Sequence, residues 1–210
     1  MISIEEARTF YANADSAHDF DHILRVLAMA ERIARAEGAD VEVVRVAALL
    51  HDIARTAEYH GGTHLDHADL SAEKARALVL GRGASAEFAT RVAKAIRAHR
   101  FRGTQSPESL EAQVLFDADK LDSIGAIGVA RAFAVAGSLN QRLYTEPEGG
   151  ATATRDQHNS DHSPIAEFHV KLSKLRERFH TPTARAIAEA RHRFMVEFFE
   201  RLEREVRGGG

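Results

Sequence analysis

An all-α fold is what this sequence predicts, on three observations. Apolar residues recur at helical spacing along most of the chain, alternating β-branched runs are few, and only four prolines interrupt it. The pattern yields about six to eight helices in a single domain over residues 1–210. Its core covers 18–137, a long polar loop covers 138–163, and C-terminal helices cover 164–207.

The elements follow in order. Ile23, Val26, Leu27, Ala30, Ile33 and Ala34 trace a first helical stripe, which Gly38 ends. Asp40 then caps a second helix carrying Val44, Ala47 and Ala48. A third runs from Ala68 to Leu80, with Gly81 and Gly83 marking the turn behind it. On the fourth, Phe88, Val92, Ala95 and Ile96 share a face with His99. The fifth opens at Ser106-Pro107, a cap followed by proline at the first helical position, and runs to Ala136. Its second half is apolar almost all round, as in a helix surrounded by others, and Gly125 and Gly128 permit close packing there. Residues 138–163 are polar and rich in Gly and Thr, a long loop of the kind that forms a lid, a binding loop or a disordered segment. Pro164 to Arg178 and Pro182 to Val206 form the closing helices, the second behind a Thr-Pro cap.

Composition excludes several functions. A formal charge of -3 lacks the basic footprint that extended nucleic-acid binding requires. The acidic N-terminus MISIEEARTF is unlike a signal peptide, and no apolar run is long enough to span a bilayer, so a cytoplasmic protein without membrane contact is expected. Cysteine is absent, which rules out disulfides and thiolate ligands. The twelve histidines are the unusual count, because imidazole is both a metal ligand and a near-neutral acid or base.

Four polar residues fall on apolar faces. His22 lies one turn before Val26, His51 continues Val44, Ala47 and Ala48, and His99 continues Val92, Ala95 and Ile96. Asp119 follows Leu115 at one-turn spacing and is directed inward, whereas Asp117, about 200° away, points largely the other way. Singly, each histidine reads more readily as a core residue bonded to a carbonyl, and Asp119 as the partner of an arginine. Together they suit a cation, which offsets the desolvation of all of them at once. Consecutive His51 and Asp52 diverge by about 100°, so one ion can meet both only beside the end of their helix. His60, His64, His158, His162 and His180 read as loop or surface histidines, and His192 as either core or site.

The order His, then His-Asp, then a distant Asp resembles the HD-domain metal-dependent phosphohydrolases. HDFDHILRV (18–26), AALLHDIAR (47–55), DHADLSAE (66–73), AIRAHR (95–100), FDADKLDSIGAIGVARAF (116–133), FHVKLSKL and ARHRFM are similar to one bacterial branch, which includes a deoxynucleoside triphosphate pyrophosphohydrolase. The resemblance covers nearly the whole chain and implies a compact HD-domain helical bundle. It makes His22, His51, Asp52 and Asp119 the ligands of one divalent ion: Mn, Fe, Co, Ni or Mg. His67 and His99 match positions that ligate a second ion in two-metal relatives; here they are expected to contact water or phosphate around a single metal.

Asp52 would also orient the nucleophile, while Arg25, Lys120, His18 and Lys171 would meet the substrate alongside His99. Many members carry an acidic residue shortly after His-Asp, whereas this chain continues Ile53, Ala54, Arg55, Thr56. Asp66 or His67 is left for that acid-base role. The implied reaction is hydrolysis of a small phosphorylated molecule, foremost a nucleotide, with a deoxynucleoside triphosphate giving monophosphate and pyrophosphate. The alternatives are a phosphodiesterase or monophosphatase on the same site, a di-iron oxygenase, and a non-catalytic metal-stabilised binding protein; a homodimer is left open.

Overall fold

Small polar caps and left-handed turns set where the helices of this chain start and stop. The computed structural model describes residues 2–11, 20–55, 67–100, 106–146 and 162–209; among them no strand occurs. They gather into two compact units, Met1–Asp119 with His180–Thr183, and Lys120–Phe179 with Ala184–Gly210.

The first unit opens with α1 (Ile4–Arg8), capped by Ser3, whose Oγ accepts the Glu6 N–H at 3.1 Å. A 3-10 turn, Thr9–Tyr11, follows it. α2 (Phe20–Glu37) buries the predicted stripe of Ile23, Val26, Leu27, Ala30, Ile33 and Ala34. Asp40 caps α3 (Val41–Leu50) by accepting the Glu42 and Val43 N–H groups. α3 is the surrounded helix: it packs on α1, α2, α4 (His67–Gly81) and α5 (Ala86–Arg97), and Leu49 and Leu50 are fully buried. Burying a leucine completely stabilises by roughly 1.5–3 kcal/mol, so this helix is a firm base for whatever follows it.

α4 and α5 make the most extensive helix pair. Gly83, at φ +80°, sends its N–H to the Leu80 carbonyl, while the Ala84 N–H reaches Val79. This closes α4 with a Schellman turn that a residue bearing a Cβ adopts only under strain. Ser85 then caps α5, which ends at Arg97, so His99 lies two residues beyond the helix and not on its face. α6 (Leu110–Leu121) starts three residues later than the Ser106-Pro107 cap predicts, because Ser109 supplies the Oγ that accepts the Ala112 N–H.

The predicted fifth helix is two helices. It breaks at Asp122–Ile124, and α7 (Gly125–Ser138) begins with Gly125 at φ +76°. Apolar spacing runs straight across the break, which is why it reads as continuous. The two glycines serve the break and the turn behind it: a Cβ on Gly128 would lie 2.3 Å from the Ser123 carbonyl oxygen. The more buried half is α6, with Val114, Leu115, Ala118 and Leu121 enclosed, while α7 leaves Ile127 37% exposed.

In the second unit α8 (Pro164–Val170) is capped by Ser163 and stops at Lys171, after which Leu172–Arg178 is a 3-10 turn. The single helix predicted from Pro164 to Arg178 is therefore also divided. α9 (Pro182–Val206) spans the predicted range. Phe168 and Phe199, both buried, stack with ring centroids 4.6 Å apart, and Phe198 meets Phe199 edge-on at 5.3 Å. No single helix among the described residues is long and apolar enough to cross a membrane.

Candidate metal centre

Helix ends of the first unit deliver the site. His22 projects from α2, His51 is the C-cap of α3, Asp52 follows it in the turn, His67 opens α4, His99 follows α5, and Asp119 lies near the end of α6. Three helix C-termini, with their partial negative charge, border the site together with the positive N-terminal turns of α2 and α4.

The imidazoles form a chain, with ring centroids 5.5 Å apart for His22 and His51, 5.1 Å for His51 and His99, and 5.5 Å for His99 and His67. Two carboxylates run alongside. Asp119 Oδ1 lies 3.4 Å from His22 Nε2 and 3.9 Å from His51 Nε2. Asp52 divides its oxygens: Oδ2 faces His51 Nε2 at 3.9 Å, while Oδ1 faces His67 Nε2 at 3.5 Å and His99 Nε2 at 3.4 Å. The ligating atoms of His22, His51 and Asp52, and those of Asp52, His67 and His99, lie within 4.8 Å of one another in two groups sharing Asp52.

Protonation follows from hydrogen bonding. His51 Nδ1 donates to the Ala48 carbonyl at 2.8 Å and His99 Nδ1 to that of Ile96 at 2.6 Å; a carbonyl only accepts, so Nδ1 of each ring carries a proton and Nε2 is turned to the site. Burial pushes the His51 imidazole down to about 4, against the pull of the Asp52 charge, so it is neutral near pH 7. Burial pushes the Asp52 carboxyl up, but it is held well below the usual carboxylate range, and beside a neutral His51 the charge that does so is the Arg55 guanidinium, 3.0 Å from Oδ2. The outcome is lone pairs facing lone pairs: His51 Nε2 and Asp52 Oδ1 are buried without a hydrogen-bond partner. Such an arrangement is costly unless a cation satisfies them, so these residues fit a divalent metal.

Other predicted residues fall as follows. Asp117 is fully buried but turned away from the histidines, accepting the His180 and Thr181 N–H groups at 2.9 and 2.8 Å and the Thr181 hydroxyl at 2.7 Å. Arg25 is half-buried one turn after His22, and Lys120 follows Asp119 on α6. Lys171, in the second unit, is paired with Glu167 at 2.8 Å. His162 is not a surface residue: it is buried, with Nε2 on Glu167 at 3.1 Å. His180 packs edge-on against Phe116, and His192 is half-buried, its imidazole pushed down by burial. His18, His60, His64, Asp66 and His158 lie outside the described residues.

Three further residues hold the His-Asp turn. Arg55 donates to Asp52 Oδ2 at 3.0 Å, Ser71 accepts the Ala54 N–H at 3.1 Å, and Tyr11 donates to the Leu49 carbonyl at 2.9 Å. Ser71 stands inside DHADLSAE, where a serine on a buried helix face is a visible signal; a lone tyrosine near the N-terminus offers none.

The HD domain family profile matches residues 19–124, the segment that carries all six clustered residues. The chain belongs to the HD domain family. Among relatives of this HD protein, Bacillus subtilis (strain 168) YpgQ is 34% identical over 212 residues, spanning 97% of this chain and 94% of that one. The crystal structure of YpgQ in complex with ADP superposes with a TM-score of 0.72 at 33% identity, covering 97% and 98% of the two chains. A predicted HD superfamily hydrolase from an uncultured Thermotogales bacterium is 34% identical, with a TM-score of 0.68 and coverage of 96% and 90%. An HD-superfamily hydrolase from Bacillus thuringiensis reaches a TM-score of 0.74 at 29% identity, covering 97% and 96%.

Proposed function

We propose that this HD protein is a divalent-metal-dependent phosphohydrolase of nucleotides, with release of pyrophosphate from a deoxynucleoside triphosphate as the foremost reaction. The observation that carries the reading is the pair of ligand groups sharing Asp52, in which His51 Nε2 and Asp52 Oδ1 are buried without a hydrogen-bond partner. A nucleotide substrate is supported by the ADP complex of YpgQ.

His22, His51, Asp52 and Asp119 would hold the principal ion, with His67 and His99 available to a second. A divalent ion so held supplies Lewis acidity toward a phosphoryl oxygen and toward water. Asp52 is kept ionised and anchored by Arg55, so it orients an attacking water by accepting its hydrogen bond. Arg25 and Lys120 offset charge on phosphate oxygens, as a developing negative charge requires; His18 and Lys171 complete the substrate contacts. His67 or Asp66 carries the proton. A pyrophosphate leaving group tolerates weak protonation, which suits a chain that continues Ile53, Ala54, Arg55, Thr56 directly after His-Asp, with no acidic residue among them.

A phosphate- and pyrophosphate-release screen over nucleotides with Mn, Mg, Co, Ni or Fe tests this. Pyrophosphate from deoxynucleoside triphosphates is expected; orthophosphate from monophosphates or opening of phosphodiesters instead moves the assignment to those reactions. Six clustered donor residues also favour a second reading, di-iron oxygenation. Iron-loaded protein that consumes oxygen and hydrolyses no nucleotide would establish it.

A further inference from the structure

The His51–Asp52 pair depends on how α3 ends. The last four carbonyls of a helix have no partner inside it, and in a buried setting each needs a donor. Around the final turn of α3, the Ala48 carbonyl takes His51 Nδ1–H and the Leu50 carbonyl takes the Ile53 N–H. The carbonyl between them, on Leu49, takes a donor from 38 residues away: the Tyr11 hydroxyl, at 2.9 Å.

Tyr11 is itself held. Its ring packs on Phe20 with centroids 5.6 Å apart, and the Arg8 guanidinium lies 4.4 Å over the same Phe20 ring. Ile2 and Ala7 are buried, and Glu6 of α1 forms an ion pair with Arg82. The N-terminal segment is thus docked along its length, and it ends in a hydroxyl aimed at the peptide adjoining the metal centre. It also precedes the segment 19–124 that matches the HD family.

We propose that Tyr11 is a positioning residue for the metal centre: by satisfying the Leu49 carbonyl it fixes the Leu49–Leu50 peptide, one residue ahead of the peptide from which His51 departs. Without the hydroxyl, a buried carbonyl is left unpaired, and the turn relieves this by rotating that peptide. That rotation carries the following backbone of Leu50 and His51 with it and strains the His51 Nδ1–H bond to the Ala48 carbonyl, so Nε2 is re-aimed. The inference rests on the metal reading above, and its test separates the two.

Metal-free full-length wild type, Tyr11→Phe and Arg82→Ala are titrated with Co(II), reading affinity and the d–d absorption bands, with thermal melts beside them. Phe keeps the ring and removes only the donor. Tyr11→Phe is expected to bind Co(II) about tenfold more weakly, the size of effect seen when support behind a ligand is removed, and to shift the d–d bands. Arg82→Ala, which loosens the same segment without touching the hydroxyl, is expected to lower the melting temperature and keep the wild-type affinity and spectrum. Tyr11→Phe with wild-type affinity and bands overturns the proposal, whatever its melting temperature. Equal spectral shifts in both variants also overturn it, since docking alone then suffices. Wild type that takes up no Co(II) removes the metal reading and this proposal together.

Discussion

Asp117 and Asp119 stand two residues apart on α6 and face different partners. Asp119 meets His22 and His51, whereas Asp117 gathers three hydrogen bonds from His180 and Thr181. Their alanine variants should separate cleanly. Asp119→Ala is expected to lose bound metal and turnover while melting near the wild-type apo temperature; full activity after chelation would count against the site. Asp117→Ala is expected to keep its metal and lose about 3 kcal/mol in urea denaturation, since buried donors are left unpaired.

His51 gives a pH dependence. The unfolded chain takes up a proton near 6.5 and the folded imidazole, desolvated, only near 4. Between those values the unfolded state binds more protons, so metal-free stability is full above about 6.5 and declines as pH falls toward about 4, by about 3 kcal/mol. Denaturation midpoints across that range should show the slope, and His51→Gln should flatten it.

At the scale of elements, the break between α6 and α7 is the most exacting feature. Gly125 adopts φ +76° with a would-be Cβ 2.9 Å from Arg191 Cγ, and Gly128 admits the Ser123 carbonyl. Gly125→Ala should cost about 1–3 kcal/mol through strain. Gly128→Ala should cost more, because its overlap is with backbone that cannot swing aside; equal melting temperatures for wild type and Gly128→Ala would refute the packing argument. This break was hidden in the sequence because hydrophobic spacing measures which faces are buried and not whether the chain is continuous. The same spacing did place His22, His51 and Asp119 together, since each sits on or just past a helix whose apolar face fixes its direction. His99 reached the cluster by another route: it lies past the end of α5, where its Nδ1 bond to Ile96 orients the ring as helical periodicity would have. The Tyr11 contact joins residues with no shared period, and only folding brings them together.

For the whole molecule, metal binding should read out as stability. An ion that binds the folded state alone raises stability by about 2.7 kcal/mol at a hundredfold excess over its Kd. Melting temperature should therefore climb with Mn(II) or Co(II) concentration and return to the apo value with EDTA; a concentration-independent melt would exclude a site coupled to the fold.

The return of residues 180–183 to the first unit bears on where that unit can be cut. Thr183 donates its N–H to Glu37 at 2.7 Å, and Asp117 depends on the two residues before Pro182. The stretch that carries the family signature, 19–124, holds every clustered His and Asp but neither Tyr11 nor the donors of Asp117. Signature and self-sufficient module are different things here. Excised at its family boundaries, the segment would take the six clustered residues with it and leave behind part of the scaffold that aims them.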